Sequence, residues 1–253
     1  MINSIIHAGG ESTRLKEIFS GPKALAPIDD HTLLWFHLQP LIKSKLISRY
    51  IFTLRHHSDS VQEHLNKLKS EFKISIFSII ESKPLGRAGS IRLGIEKGII
   101  DTDETYLMSN PDDLIPINIK ELVDYSDEAE RKGKSIIMVM SKNIVNPFGI
   151  GVTKKIGDII ELKQFQEKPE LPLIENHFAN TGMMLFLPEA MKEFKKVPLD
   201  KPTHPEHEII PKLVKQNKVA VFLVERWISV NYASDYKDVL KIDANKLLEF
   251  LKV

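Results

Sequence analysis

Residues 2–15 read Ile-Asn-Ser-Ile-Ile-His-Ala-Gly-Gly-Glu-Ser-Thr-Arg-Leu, and the parsing of this stretch decides the fold. Ile2 to His7 is a short apolar run stopped by Gly9-Gly10, which predicts a buried strand feeding directly into a loop. Leu33 to Ile42 then carries apolar residues at helical spacing. The alternation continues, with strands expected at Tyr50 to Leu54, Ile74 to Ile80, Thr105 to Met108 and Ile136 to Met140. Helices are expected between them at Val61 to Phe72, Ala88 to Lys97 and Ile119 to Lys132. Strands that alternate with helices predict an α/β fold whose mainly parallel sheet is flanked by helices.

Beyond about residue 145 the pattern turns to strand-like pieces, Gly149 to Thr153 and Ile159 to Phe165, around the turn signal Gly157-Asp158. This predicts a small inserted β-hairpin lobe. Met183 to Phe186 and Val219 to Val224 are expected to return to the sheet, with helices at Pro205 to Lys215 and Ser234 to Leu251. With no repeat or long linker, residues 1–253 are expected to form a single domain. In it the pattern marks off 1–145, 146–233 and a C-terminal helix over 234–253.

Composition excludes several classes of function. Thirty-five Lys and Arg against 34 Asp and Glu leave a formal charge of +1, so no global field draws in nucleic acid or an anionic membrane. With no cysteine there is no disulfide, thiolate metal site or cysteine nucleophile. No leader pattern opens the chain and no apolar run reaches the ~18 residues of a membrane span. The expectation is a cytoplasmic protein without nucleic-acid or membrane partners, with homo-oligomerisation left open.

Any phosphate chemistry must therefore be local. In Ala8-Gly9-Gly10-Glu11-Ser12-Thr13-Arg14-Leu15 the glycines let backbone N–H groups approach a triphosphate without an intervening Cβ. Arg14 can fork onto phosphate oxygens, and Lys23 acts as a point charge stiffened by the fixed φ of Pro22. An ordinary strand-to-helix turn explains the two glycines equally well on their own. Neither the Walker spacing nor G-x-G-x-x-G is present.

Together with Pro22-Lys23, this loop resembles the A-G-G-x-G-T-R-L and P-K signature of the sugar-phosphate nucleotidyltransferases, the NDP-sugar pyrophosphorylases. Other family blocks follow in order. Glu81 to Ser90, reading ESKPLGRAGS, is similar to E-x-x-P-L-G-T-A-G-A, and Asn110-Pro111-Asp112 stands where N-G-D is usual. Phe148-Gly149 resembles Y-G, Glu167-Lys168-Pro169 repeats E-K-P, and Asn180-Thr181-Gly182 parallels N-A-G. Near the end, Glu208 to Leu213 and Trp227 match an acidic-x-x-P-x-L stretch followed by W-x-D-x-G-T.

The resemblance implies a Rossmann-like fold, Mg2+ as cofactor, and an NTP and a sugar 1-phosphate as substrates. In the implied reaction the sugar phosphate oxygen attacks the α-phosphorus and pyrophosphate leaves. Such transfer needs alignment and stabilisation of spreading negative charge more than covalent help. By resemblance Arg14 and Lys23 are catalytic, whereas Ala8, Gly9, Gly10, Glu81 and Gly86 bind the nucleotide. Gly149, Glu167, Lys168, Asn180 and Thr181 hold the sugar phosphate, and Asp112 is the metal ligand, which makes 1–145 the nucleotide-binding part and 146–233 the sugar-phosphate part. A solvated strand-end acid is the alternative for Glu81, and a turn with an Asx cap the alternative for Asp112. Asp113 either shares the metal or points away.

The pattern breaks at Ser229, which replaces the aspartate of W-x-D. A neutral hydroxyl is a poorer magnesium ligand, so Ser229→Asp is expected to tighten the metal. Ser12 replaces the last loop glycine, Pro111 the glycine of N-G-D, and Arg87 a threonine. Three readings stay open: an active transferase, a weakened relative that binds nucleotide or NDP-sugar as a regulatory or partner protein, and an unrelated Rossmann-type enzyme.

Overall fold

The computed structural model describes residues 1–142, 148–167 and 177–252. Its elements fall into two compact units that interleave along the chain, 1–83 with 109–120 and 227–253, and 84–108 with 121–226.

In the first unit the strands Ile76–Ile80, Ile47–Leu54 and Ile2–His7 lie side by side in that order, all parallel. The register sets Ile5 beside Ile51 and Phe52 beside Ser78. The run Tyr50 to Leu54 is buried throughout, as suits a strand with neighbours on either side and polar residues nearly absent. The helix Leu33–Ser44 starts where the Thr32 hydroxyl accepts the Trp35 N–H at 3.2 Å and stops at Lys45, whose φ of 57° is left-handed. These are an N-cap and a C-terminal stop of the usual kind. The second helix, Ser58–Phe72, buries only Val61, Leu65 and Leu68, a narrow stripe at i, i+4, i+7.

The end of the chain closes this unit. Leu15, Ala26, Leu33 and Phe36 share one apolar cluster with Val230, Tyr236, Leu247 and Leu251, and the Tyr236 hydroxyl donates to the Pro27 carbonyl at 2.5 Å. The helix expected over Ser234 to Leu251 is in fact two, Ala233–Val239 and Ala244–Phe250. The break comes at Asp243, whose carboxylate accepts from Asn245 N and restarts the helix. Likewise Pro205 to Lys215 divides into Pro205–Glu208 and Ile210–Lys215, with Pro211 near the second start, where a missing N–H is harmless.

The second unit is built on a mixed sheet, with order Tyr106–Ser109 (to Met108 in this unit), His177–Phe186, Ile136–Ser141, Val219–Val224, Ile159–Gln166 and Ile150–Ile156. Val219–Val224 runs parallel to Ile136–Ser141. His177–Phe186 runs antiparallel to both its neighbours, with Leu185 facing Leu107 and Ile137. Its first residues also pair antiparallel with Ile150 to Val152, so the chain leaves the hairpin and returns against the direction of the strand it joins. The hairpin itself, Ile150–Ile156 with Ile159–Gln166, forms at the expected place around Gly157, whose φ is +60°. It extends the sheet edge through the bridge of Glu161 to Ala220. Among the described residues no helix is long and apolar enough to cross a membrane.

Candidate active site

Each unit gathers its own group of the residues marked in the sequence. In the first, the strand Ile2–His7 ends at Ala8, whose N–H donates to the Thr53 carbonyl at 3.0 Å. A Cβ at Gly9 would come within 3.0 Å of Arg55 N, whereas one at Gly10 would meet nothing within 4 Å. Packing therefore leaves little room for a side chain at the first glycine and ample room at the second.

Ser12 takes the left-handed conformation, φ 55°, where a side chain costs roughly 1–2 kcal/mol. Its Oγ accepts the Lys23 backbone N–H at 2.6 Å, worth about 1 kcal/mol. The serine thus offsets much of its own strain by tying the loop to the segment that carries Lys23. Arg14 projects from the single turn Thr13–Leu15, its guanidinium carbon 5.2 Å from the centroid of the Tyr232 ring. That is cation–π range.

Lys23 extends its ammonium to the Asp112 carboxylate in an ion pair. Asp112 also anchors the backbone, its carbonyl accepting from Val230 N at 2.9 Å. Asp113 pairs with Ser229 in the short antiparallel ladder of Asp113–Leu114 with Ile228–Ser229. Its carboxylate collects three donors: Trp227 Nε1 at 3.0 Å, Ser229 Oγ at 2.7 Å and Asn110 Nδ2 at 3.0 Å. Burial, with the Asp112 charge second, pushes its carboxyl up to about 7 against the pull of those donors. Behind it, buried His37 donates from Nδ1 to the Asp113 carbonyl at 2.8 Å, so Nε2 must accept from the Ser109 hydroxyl at 2.9 Å. Burial holds this imidazole below its usual range, in keeping with a neutral ring of fixed tautomer. Glu81 follows the strand Ile76–Ile80, its N–H donating to the Leu54 carbonyl at 2.8 Å.

In the second unit Gly86, φ +71°, opens the helix Gly86–Glu96, and any Cβ there would collide with the Thr203 backbone. Thr203 is joined on both sides, Ala88 N donating to its carbonyl at 2.9 Å and its N–H to the Leu85 carbonyl at 2.8 Å. Arg87, the replacement for threonine, pairs with buried Glu206 at 2.5 Å. Gly149 packs so closely that an added Cβ would lie 2.6 Å from Glu167 Oε2, and its carbonyl accepts from Asn180 N at 2.8 Å. Gly149, Glu167 and Asn180 are therefore together. Thr181 is buried, its hydroxyl donating to the Val139 carbonyl and accepting from Met183 N. It holds the bulge at Gly182, whose φ is 81°. Lys168 lies outside the described residues.

The first group holds two cations, Arg14 and Lys23, and two carboxylates, Asp112 and Asp113, whose oxygens are of the hard kind that divalent magnesium and calcium take. Tyr232 and His37 were given no role in the sequence, and Asn110 appeared only as the first residue of the Asn110-Pro111-Asp112 block. Only the spacing of Tyr232 from Trp227 hinted at the first, and nothing local marks His37.

The chain is 24% identical over 248 residues to the "Probable mannose-1-phosphate guanylyltransferase 2" of Oryza sativa subsp. japonica, covering 97% of this chain and 66% of that protein. It thus spans slightly less than two thirds of the length of that curated relative. Among solved structures it resembles HddC from Yersinia pseudotuberculosis complexed with GMP-PN, with a TM-score of 0.72 at 20% identity over 95% of this chain and 99% of that one. It also resembles a UDP-glucose pyrophosphorylase complexed with UDP-glucose, with a TM-score of 0.76 at 14% identity over 95% and 98% of the two chains. Identities this low speak for the shared Rossmann-like α/β fold. The family model described as Nucleotidyl transferase matches residues 3–245, and on that match the chain belongs to the nucleotidyl transferase family.

Proposed function

We propose that this protein transfers a nucleoside monophosphate from an NTP to a sugar 1-phosphate and releases pyrophosphate. The observation that carries the reading is the Lys23–Asp112 ion pair, tied through the bond from Lys23 N–H to Ser12 Oγ to the loop that holds Gly9, Gly10 and Arg14. A triphosphate needs forked and point cations beside glycine-rich backbone, and this loop and its partner segment supply them.

On this reading Arg14 leaves the face of Tyr232 to grip the terminal phosphates, and Lys23 stabilises charge that develops at the α-phosphate. Ala8 and Gly9 present backbone to the nucleotide, with Glu81 and Gly86 assigned to the base by resemblance. Gly149, Glu167 and Asn180 receive the sugar phosphate, Thr181 shapes the bulge that aims Asn180, and Lys168 is assigned to the phosphate group. Magnesium, when bound, neutralises phosphate charge and polarises the reacting oxygens. Among the described residues no cluster of three or more His, Cys, Asp or Glu gathers. Magnesium takes only one or two protein carboxylates and keeps several waters, so Asp112 with its neighbour Asp113 fits it. The cytoplasm, with its reducing poise, suits a chain without cysteine.

The test is a panel of triphosphates and sugar 1-phosphates scored for pyrophosphate with and without magnesium. The name of the rice relative puts GTP with mannose 1-phosphate first in that panel. Magnesium-dependent release with one pair supports the reading. Tight nucleotide binding with no turnover on any pair would favour a regulatory relative instead.

A further inference from the structure

The serine at position 229 removes a carboxylate where the resemblance implies one, yet the structure sets another carboxylate directly opposite. Ser229 and Asp113 are register partners across the Asp113–Leu114 and Ile228–Ser229 ladder, and their side chains touch at 2.7 Å. The Asp113 carboxylate therefore reaches the place from which residue 229 projects. We infer that the second negative charge of the cation site sits at Asp113 instead of position 229, the acid having crossed from one strand of the ladder to the other.

The hydrogen bonds around Asp113 are those of an aimed ligand. A carboxylate offers about four lone-pair sites. Oδ1 uses two, on Trp227 Nε1 and Ser229 Oγ, while Oδ2 takes one donor, Asn110 Nδ2. One lone pair of Oδ2 is left over by these bonds. Oriented, hydrogen-bonded carboxylates are what metal sites use, because their outer partners fix the ligand before the ion arrives. Ser229 then has a definite part: it accepts from Asn231 Nδ2 at 2.8 Å and donates to Asp113, and an aspartate could not make that donation. Serine at 229 and aspartate at 113 are thus a matched pair. Ser229→Asp alone, expected from the sequence to tighten the metal, would instead face one carboxylate with another and remove a donor from Asp113.

This inference rests on the reading of Asp112 as a metal ligand, so Asp112→Asn is the control. The measurement is Mn2+ binding to the full chain by electron paramagnetic resonance, with melting recorded for every variant. Asp113→Asn should weaken Mn2+ about tenfold or more, given the sensitivity of such sites to ligand charge count. Ser229→Ala, which removes an orienting donor and keeps the charge, should weaken Mn2+ roughly tenfold, the usual cost of losing an outer partner. The exchange of Asp113→Ser with Ser229→Asp should return the affinity to within about threefold of wild type. Single Ser229→Asp should melt lower without metal and recover with Mn2+, a readout that survives if Asp113→Asn does not fold. Wild-type affinity in Asp113→Asn, wild-type affinity in Ser229→Ala, or a Ser229→Asp melting point indifferent to Mn2+ would each overturn the assignment. If Asp112→Asn also leaves Mn2+ binding unchanged, the metal reading itself fails; if it alone abolishes binding, only the role of Asp113 does.

Discussion

In the unit that carries Arg14 and Lys23, the marked side chains are held by charge and hydrogen bonds between segments far apart in the chain. Lys23 reaches Asp112, Ser229 and Trp227 reach Asp113, and Tyr232 supports Arg14. In the unit that carries Gly149 and Glu167, they are placed by strand register and by glycines with no room for a Cβ. The first arrangement should fail when a charge is removed, the second when a methyl group is added. That contrast follows from the range of the forces, since electrostatic effects depend on what is paired and steric ones on a few tenths of an ångström.

The largest test of the contrast is Asp112→Asn, which keeps volume and deletes charge. Pyrophosphate release should fall roughly 100- to 1,000-fold, the usual cost of losing one electrostatic contributor to the transition state, while the protein still folds by circular dichroism. A near-normal rate would show that charge does not govern this unit. The next is the reverse experiment. Gly149→Ala adds one methyl group 2.6 Å from Glu167 Oε2 and should lower kcat/KM for the sugar 1-phosphate about 10- to 100-fold, in line with the cost of small misplacements. Lys168→Ala should share its bias toward that substrate. Equal losses for both substrates would erase the division of labour between the units.

Arg14→Ala should weaken triphosphate binding about tenfold by calorimetry, as expected for losing a charge-assisted contact, with melting unchanged to within about 1 kcal/mol because the stacking on Tyr232 is exposed. The smallest effect belongs to Ser12→Gly. It relieves the left-handed strain and loses the bond to Lys23 N, so urea unfolding should shift by less than about 1 kcal/mol. A clear loss would mean that the bond outweighs the strain it accompanies.

The sequence was most legible where structure is local. The apolar runs at Ile2 to His7, Tyr50 to Leu54 and Val219 to Val224, and the hairpin around Gly157, read directly because periodicity and turn residues act within a few positions. The direction of His177–Phe186 did not, since a buried apolar run looks the same whichever way its neighbours point. The division of the C-terminal helix was hidden because apolar spacing continues on both sides of Asp243. Within the candidate site, Arg14, Lys23 and Asp112 stood out through their motifs, but the meaning of Asp113 depended on a residue 116 positions away. No local pattern encodes such a register. Ser229 looked like a simple loss for the same reason.

The cluster that joins Leu15, Ala26 and Phe36 to Leu247 and Leu251 also orders events during synthesis. Leu15 leaves the ribosome ahead of the other members, and Val230, Tyr236, Leu247 and Leu251 follow more than two hundred positions later. At roughly 5 to 20 residues per second the gap is on the order of ten seconds or more. Throughout that time the glycine loop has its strand and the near part of its apolar backing but not the distant part, and closure across so long a separation is slow in any case. The 84–108 and 121–226 segments contain their own partners and can condense earlier. Pulsed hydrogen exchange during refolding should therefore show the amides of the glycine loop gaining protection late, since their backing closes over so long a separation.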